Sequence, residues 1–387
     1  MRRASLVVVL LVVIAAYFLA PIVVDGRMNT VSATPLPTVS PEAIALHKSL
    51  FVADLHADQL LWGRDVLVHA NRGHVDIPRL QEGNVALQVF SVVTKTPRGM
   101  NYDHNTGETD NILLLALLQR WPIATWRSLR ARAVYQAHQL YDAAARSNGS
   151  FTVITTQKQF TDFVTRRATN PSLVGGVLAI EGLHALDGKL ESVDTLFAAG
   201  FRMLGLTHFF DNEVAASAHG VTHAGITPFG RTVLQRMNAL GMIVDLAHAS
   251  PQTVEEALTL YPGPIVVSHT GVVGTCPGPR NLTDEQLQKI AAHGGVIGIG
   301  YWDAATCTVG VDAVVRAIMY AAKIAGADHV ALGSDFDGAT HEPFDTSHLD
   351  VITDGLLKAG MSADDVRKVM GGNVGAFLAA SLPIGGT

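Results

Sequence analysis

From Phe51 onward the chain repeats one unit: a short apolar run, a polar or glycine-containing turn, then a longer stretch with helical spacing. The runs are Phe51–His56, Val85–Val93, Leu173–Glu181, Arg202–His208, Met242–His248, Pro264–His269, Gly295–Tyr301 and His329–Asp335. None alternates apolar with polar positions as a half-exposed strand would, so each is expected to be buried on both faces. Eight such strands joined by helices close most simply into a (β/α)8 TIM barrel. Between them, Asp110–Ser147 reads as a long insertion after the second strand and Thr227–Leu240 as a helix behind a Gly/Pro-containing turn. Thr283–His293 opens with a Thr able to cap it and acidic residues that suit its N-terminus, and Asp350–Ala359 and Asp364–Ala380 supply closing helices.

The first residues follow another pattern. Arg2 and Arg3 precede an apolar run from Leu6 to Ala20, which Pro21 interrupts and Ile22–Val24 extend. Residues 1–28 therefore read as a signal peptide or an N-terminal membrane anchor, long for the first and short for the second. Residues 29–44, rich in Ser, Thr and Pro, are expected to be a flexible linker to a single domain over 45–382. The protein is thus expected to be exported, periplasmic or extracytoplasmic, with attachment to the membrane open through this segment.

Composition sharpens that picture in three places. A chain of 387 residues with 48% hydrophobic and 16% charged residues can bury a large core. A net charge of -6 without long charged blocks gives nucleic acid no electrostatic footing, and a homodimer is neither demanded nor excluded. In an oxidising compartment the two cysteines, Cys276 and Cys307, are expected to form a disulfide. Histidine is the unusual residue, with sixteen copies that recur just after apolar runs.

In such barrels the C-terminal strand ends form the active face. The first run ends in Asp-Leu-His-Ala-Asp, the third in Ala-Ile-Glu-Gly, the fourth in Leu-Thr-His, the fifth in Asp-Leu-Ala-His, the sixth in Val-Ser-His-Thr and the eighth in Gly-Ser-Asp-Phe-Asp-Gly. A buried structural imidazole explains any one His; six polar strand ends together point to metals that offset desolvation. His56 and Asp58 lie two apart and share a side of an extended chain, so they can hold one metal. His248 and His269 end adjacent strands and can hold a second, with Glu181 able to bridge both through its two oxygens. Imidazole and carboxylate donors suit zinc.

These motifs resemble the membrane dipeptidase (renal dipeptidase) family of metallopeptidases, peptidase family M19, an amidohydrolase-like branch of metal-dependent barrel hydrolases. The resemblance runs from about Leu50 to Ala380 and is carried by the His-x-Asp, Glu-Gly, Thr-His, Asp-Leu-x-His, Ser-His, Arg-Asn and Gly-x-Asp-Phe-Asp-Gly motifs. It implies two Zn2+ per chain, with Glu181 bridging, His56 and Asp58 completing one site, and His248 and His269 the other. It also implies hydrolysis of dipeptides, often with tolerance for a C-terminal D-residue. A hydroxide bridging the ions would then attack the peptide carbonyl. His208 would stabilise the oxyanion or hold the substrate carbonyl, Asp335 would carry the proton to the leaving amine, and Arg280 would fork onto the substrate carboxylate.

Other positions read more blandly. Asp54 and Asp245 are expected to orient ligands or backbone, and Asp337 to fix the turn after Asp335. His184, His219 and His223 lie in Gly- and Ala-rich loops, with solvent exposure favoured over substrate contact. Tyr301 is a core or rim aromatic with substrate binding as its alternative role. Asn148-Gly-Ser and Asn281-Leu-Thr match glycosylation acceptors but are discounted, the second because it adjoins Arg280. The segments Phe209–Gly225 and Pro97–Ser147 are expected to frame the pocket. The rivals are a related binuclear amidohydrolase for another small amide, a tailoring enzyme for a peptide metabolite, and a non-catalytic binding module.

Overall fold

The structure, a computed structural model, describes residues 17–385. Eight parallel strands close a barrel: β1 (Val52–Ala57), β2 (Val85–Phe90), β3 (Val174–Ile180), β4 (Phe201–Gly205), β5 (Ile243–Asp245), β6 (Ile265–Thr270), β7 (Val296–Ile299) and β8 (Val330–Leu332). Each pairs with its successor, and β8 returns to β1 through the Leu332–Asp54 register. Every residue of these strands is buried, which is why their sequences lack alternation. A ninth short strand, Phe151–Val153, runs parallel to β3 from within the long insertion.

The helices between the strands begin where their caps predict. Thr227 and Thr283 each accept a hydrogen bond from the third helical amide, and at Thr283 the Gln286 side chain returns the contact to complete a capping box. The insertion holds two helices, Asn111–Leu118 and Leu129–Arg146. The expected helix 364–380 is divided, because the chain from Lys368 to Gly372 widens into a π turn where Gly371 meets the Phe51 carbonyl too closely for any Cβ.

The N-terminal segment departs from expectation. Residues 1–16, the first part of the expected signal or anchor, lie outside the described residues; residues 17–28 are helical. The expected flexible linker 29–44 is instead tied down. Thr30–Val31 pairs in parallel with His341–Glu342, and the helix Pro41–Lys48 starts inside the range behind a Ser40 cap. The reason is a buried anchor just ahead of it. Asp25 is fully buried, 3.0 Å from Arg64 Nε, and accepts hydrogen bonds from Arg72 Nε at 2.7 Å and Asn29 Nδ2 at 2.9 Å. A Ser/Thr/Pro-rich composition says nothing of such a long-range tie.

Candidate metal centre

The site is built at the C-terminal strand ends. Asp54, on β1, accepts from the backbone N–H of His56 at 3.0 Å and of Ser334 at 3.1 Å, so one buried carboxylate ties His56 to the segment carrying Asp335. Asp245, on β5, does the same for the other half: it accepts from Ala247 N–H at 3.0 Å and Ser268 N–H at 2.9 Å, beside His248 and His269. The orienting role expected for both aspartates is thus exerted on backbone. His248 and Asp335 adopt φ of 61° and 63°. Each left-handed residue costs about 1–2 kcal/mol, a strain found where a side chain must be aimed.

Their side chains converge on Glu181. The Nε2 atoms of His56, His248 and His269 each lie 3.3 Å from Glu181 Oε1, and His208 Nε2 lies 3.0 Å from Oε2. Asp58 Oδ1 and Asp335 Oδ1 are 3.6 and 3.8 Å from His56 Nε2. Three donor groups result: His56 with Glu181 and His269, Glu181 with His208 and His248, and His56 with Asp58 and Asp335. All five expected ligands are together. The groups cut across the expected pairing, joining His56 to His269 and bringing in His208 and Asp335, with Glu181 at the junction.

Electrostatics show what this cluster lacks. Glu181 and Asp335 act on the buried guanidinium of Arg280, and Asp58 adds its charge beside both carboxyls. Burial would lower His56, yet Glu181, Asp58 and Asp335 push it up to about 10. Burial and Asp58 hold the Glu181 carboxyl well above the usual range, and burial pushes Asp335 up to about 8. Burial drives His208, His248 and His269 the other way, keeping them neutral and able to donate a lone pair. Asp58 Oδ1, Glu181 Oε1 and His56 Nε2 are buried without a hydrogen-bond partner. Metal cations among these atoms would supply the missing positive charge and the missing partners, and the N/O donor set fits zinc.

A family model for membrane dipeptidases, peptidase family M19, matches residues 41–378. The chain belongs to this family. Relatives of this M19 peptidase include dipeptidase aclJ of Aspergillus oryzae, 29% identical over 345 residues that cover 84% of this chain and 76% of the fungal one. An uncharacterised dipeptidase of Schizosaccharomyces pombe is 30% identical over 318 residues, covering 78% of this chain and 72% of its own. Among solved structures, a metallopeptidase of Rhodobacter sphaeroides, liganded with a phosphinate mimic of the dipeptide L-Ala-D-Ala, superposes with a TM-score of 0.73 at 22% identity. The match covers 86% of this chain and 99% of that one. The probable dipeptidase PvdM of Pseudomonas aeruginosa gives 0.72 at 20% identity, over 88% and 97%. Membership makes this chain a hydrolytic enzyme of the metallopeptidase class, and the solved structures share its barrel.

Around the metal cluster of this M19 peptidase lies a cavity of about 340 Å³, whose polar floor includes Asp58, Glu181, His208, His248, Arg280 and Asp335. Arg280 is buried, donates to the His269 carbonyl at 2.6 Å and keeps its Nε without a partner. Both segments expected to frame the pocket do so, through Met100, Tyr102, Ile112 and Phe209. Tyr102 was not singled out by sequence; burial first, and Asp335 second, push its hydroxyl up to about 12. Trp302 was also missed, and it corrects the reading of its neighbour. Tyr301 is fully buried between Phe336 and Phe344 and does not line the pocket, whereas Trp302 does, because the chain leaving β7 turns successive side chains to opposite sides.

Three more expectations change or gain detail. His184 and His219 are buried rather than exposed; His219 hydrogen-bonds the Tyr102 carbonyl at 3.0 Å and stacks on Phe209, while His223 is exposed. Asp337 does more than fix its own turn, since its carboxylate accepts from His74 N–H at 2.7 Å and Val75 N–H at 3.2 Å and pairs with Arg64 at 2.6 Å. Cys276 and Cys307 form the expected disulfide, with Cα atoms 5.3 Å apart, and so join the loop that carries Arg280 to the chain just past Trp302. Asn281 is buried in the same loop, donating to the Cys276 carbonyl at 2.7 Å, which agrees with discounting it as a glycan acceptor.

Proposed function

We propose that the chain is a binuclear zinc dipeptidase that hydrolyses the peptide bond of dipeptides, including those with a C-terminal D-residue. The observation that carries this reading is the convergence of three imidazole Nε2 atoms on one Glu181 oxygen at 3.3 Å, with partnerless buried donors around it. His56, Asp58 and Glu181 would hold one ion, and Glu181, His248 and His269 the other. Metal ions bound there would polarise the substrate carbonyl and bring a water near deprotonation at neutral pH.

The remaining steps belong to side chains of this chain. Arg280, with its partnerless Nε at the cavity floor, would grip the substrate carboxylate, which limits substrates to short peptides with a free C-terminus. His208, neutral through burial, would donate to the carbonyl oxygen as negative charge develops. Asp335, its carboxyl ionised once cations at the site offset the burial that raises it, would take the water's proton and pass it to the leaving amine. The bound mimic of L-Ala-D-Ala in the Rhodobacter sphaeroides relative supports tolerance for a C-terminal D-residue.

The deciding experiment assays the metal-loaded protein on L,L and L,D dipeptides beside tripeptides and N-acyl amino acids, with metal analysis. The expected result is chelator-sensitive turnover of dipeptides with two ions per chain. Turnover of N-acyl amino acids alone would move the assignment to a related amidohydrolase.

Export with attachment to the membrane through the N-terminal segment is part of the proposal. It is supported by the Leu6–Ala20 run and by Tyr17, Phe18, Leu19 and Ile22, which stand exposed on the helical residues 17–28. Among the described residues no helix is long and apolar enough to cross a membrane. Fractionation of cells that yields the protein in the soluble cytosolic pool would reject this localisation.

A further inference from the structure

The cavity has a second character above its polar floor. Part of its wall is aliphatic, formed by Leu61, Ile112, Leu114 and Leu115 together with Val24 and Met28. Val24 and Met28 belong to the helical residues 17–28, ahead of the 41–378 span that the family shares. They remain 36% and 45% exposed among the described residues.

Residues 17–28 are held at two places. Tyr17 donates to the Leu117 carbonyl at 3.3 Å and the Arg120 guanidinium lies 4.7 Å from the Phe18 ring centre, both beside the C-terminal end of the Asn111–Leu118 helix. Further on, Asp25 is buried against Arg64 and Arg72, and Asn29 accepts from the backbone of Ala339, itself a residue of the cavity wall. A segment so tied cannot drift from the mouth without breaking a buried ion pair. It is part of the pocket.

We propose that residues 17–28 persist in the working enzyme as the apolar wall of its substrate pocket, and that this wall selects dipeptides bearing a large apolar side chain. The inference rests on the dipeptidase reading. A dipeptide backbone consumes the polar floor through its carboxylate and scissile amide, which leaves the side chain to cover the aliphatic wall. Each methylene gained or lost against such a wall changes kcat/KM by about tenfold or more.

The test compares the full-length protein in detergent with a Val24→Ser/Met28→Ser variant and a Val23→Ser control on L-Leu-L-Phe and L-Ala-L-Ala. Val23 lies on the same helix, is 47% exposed and does not line the cavity. The parent should favour L-Leu-L-Phe, the double variant should lose at least about tenfold in the ratio of the two kcat/KM values, and the control should match the parent. An unchanged ratio in the double variant, with both dipeptides cleaved, overturns the inference and leaves the dipeptidase reading standing. No turnover of either dipeptide by the metal-loaded parent removes both. Intact mass of the protein recovered from its own host gives an answer independent of any variant: a chain retaining residues 17–28 supports the wall, and one beginning after Met28 overturns it.

Discussion

Two clusters of buried charge lie on either side of Phe336, and they are built to opposite plans. On the Asp337 side, Asp25 and Asp337 face Arg64 and Arg72, with His74 Nδ1 3.4 Å from Asp337. The carboxylates there accept from backbone and side-chain N–H groups, and two acids meet two guanidinium groups, so that Arg64 Nε and Nη2, which make no hydrogen bond of good geometry, are still ion-paired at 3.0 and 2.6 Å. On the Asp335 side, there are three carboxylates to one guanidinium, and oxygens and imidazole nitrogens are left without partners. Both are largely buried; they differ in the balance of acids and guanidinium groups. A charge cluster that satisfies itself is scaffolding, whereas one that needs outside cations is where chemistry is done.

The largest break in that comparison comes from Glu181→Gln. It removes the charge at the junction of two donor groups without changing size. Dipeptide turnover should fall on the order of 10⁴-fold, about 5.4 kcal/mol of barrier, with bound metal dropping below two ions per chain and the fold retained. Turnover within tenfold of the parent, at full metal content, would show that Glu181 does not bridge.

Arg64→Met breaks the closed cluster instead. Asp25 and Asp337 would each keep a buried charge with one counter-ion fewer, which costs about 3–5 kcal/mol in chemical denaturation. The same change loosens the grip on Asp25 and so on the helix 17–28. A loss below about 1 kcal/mol would mean that water or rearrangement compensates the carboxylates, and that the cluster is not closed in the sense argued above.

The two clusters also differ in how far the sequence foretold them. The metal donors were readable because each sits at the end of an apolar run, and strand ends at one face of a barrel must meet. Asp54 and Asp245 were readable as supports for the same reason, two and three residues ahead of His56 and His248. The closed cluster was not. Asp25 lies beside an apolar segment that reads as export signal, Arg64 and Arg72 lie in a loop, and only the folded chain brings them to Asp337. Tyr301 and Trp302 show a finer limit: a strand run tells which residues reach the rim, but the side to which each turns depends on where the strand ends. The long insertion could be placed near the pocket, yet its Tyr102 carries no neighbouring motif, and nothing in its sequence says that Val24 and Met28 join its aliphatic helix in lining the cavity.

A smaller effect probes the link between backbone support and metal. Asp245→Asn keeps the size of the side chain while weakening the charge-assisted bonds to the amides of Ala247 and Ser268. Metal affinity, measured by competition with a chromophoric chelator, should drop about 10–100-fold, as for other groups that hold ligands in place. The double change Asp245→Asn/Asp54→Asn should lower it further, because the two carboxylates serve different halves of the site. If affinity is unchanged in the single variant, the positions of His248 and His269 are fixed by packing alone, and the open cluster needs no support of its own.

The smallest effect separates the clusters by pH. Burial would raise Asp337, but Arg64 and His74 hold its carboxyl far below the usual carboxylate range. In the unfolded chain an Asp titrates near about 3.9. Between the folded and unfolded values the unfolded state therefore binds the extra proton, so stability rises with pH there: the contribution is complete above about pH 5 and is lost as pH falls toward the folded value. One group contributes a slope of at most about 1.4 kcal/mol per pH unit. In Arg64→Met the depression shrinks, and the stability curve between about pH 4 and pH 2 should be flatter than the parent's by up to that slope. Denaturation measured on metal-free protein keeps the open cluster's ligands from adding a metal-release term. Parallel curves for parent and variant would place the acid sensitivity elsewhere and reduce Arg64 to a neutral partner of Asp337.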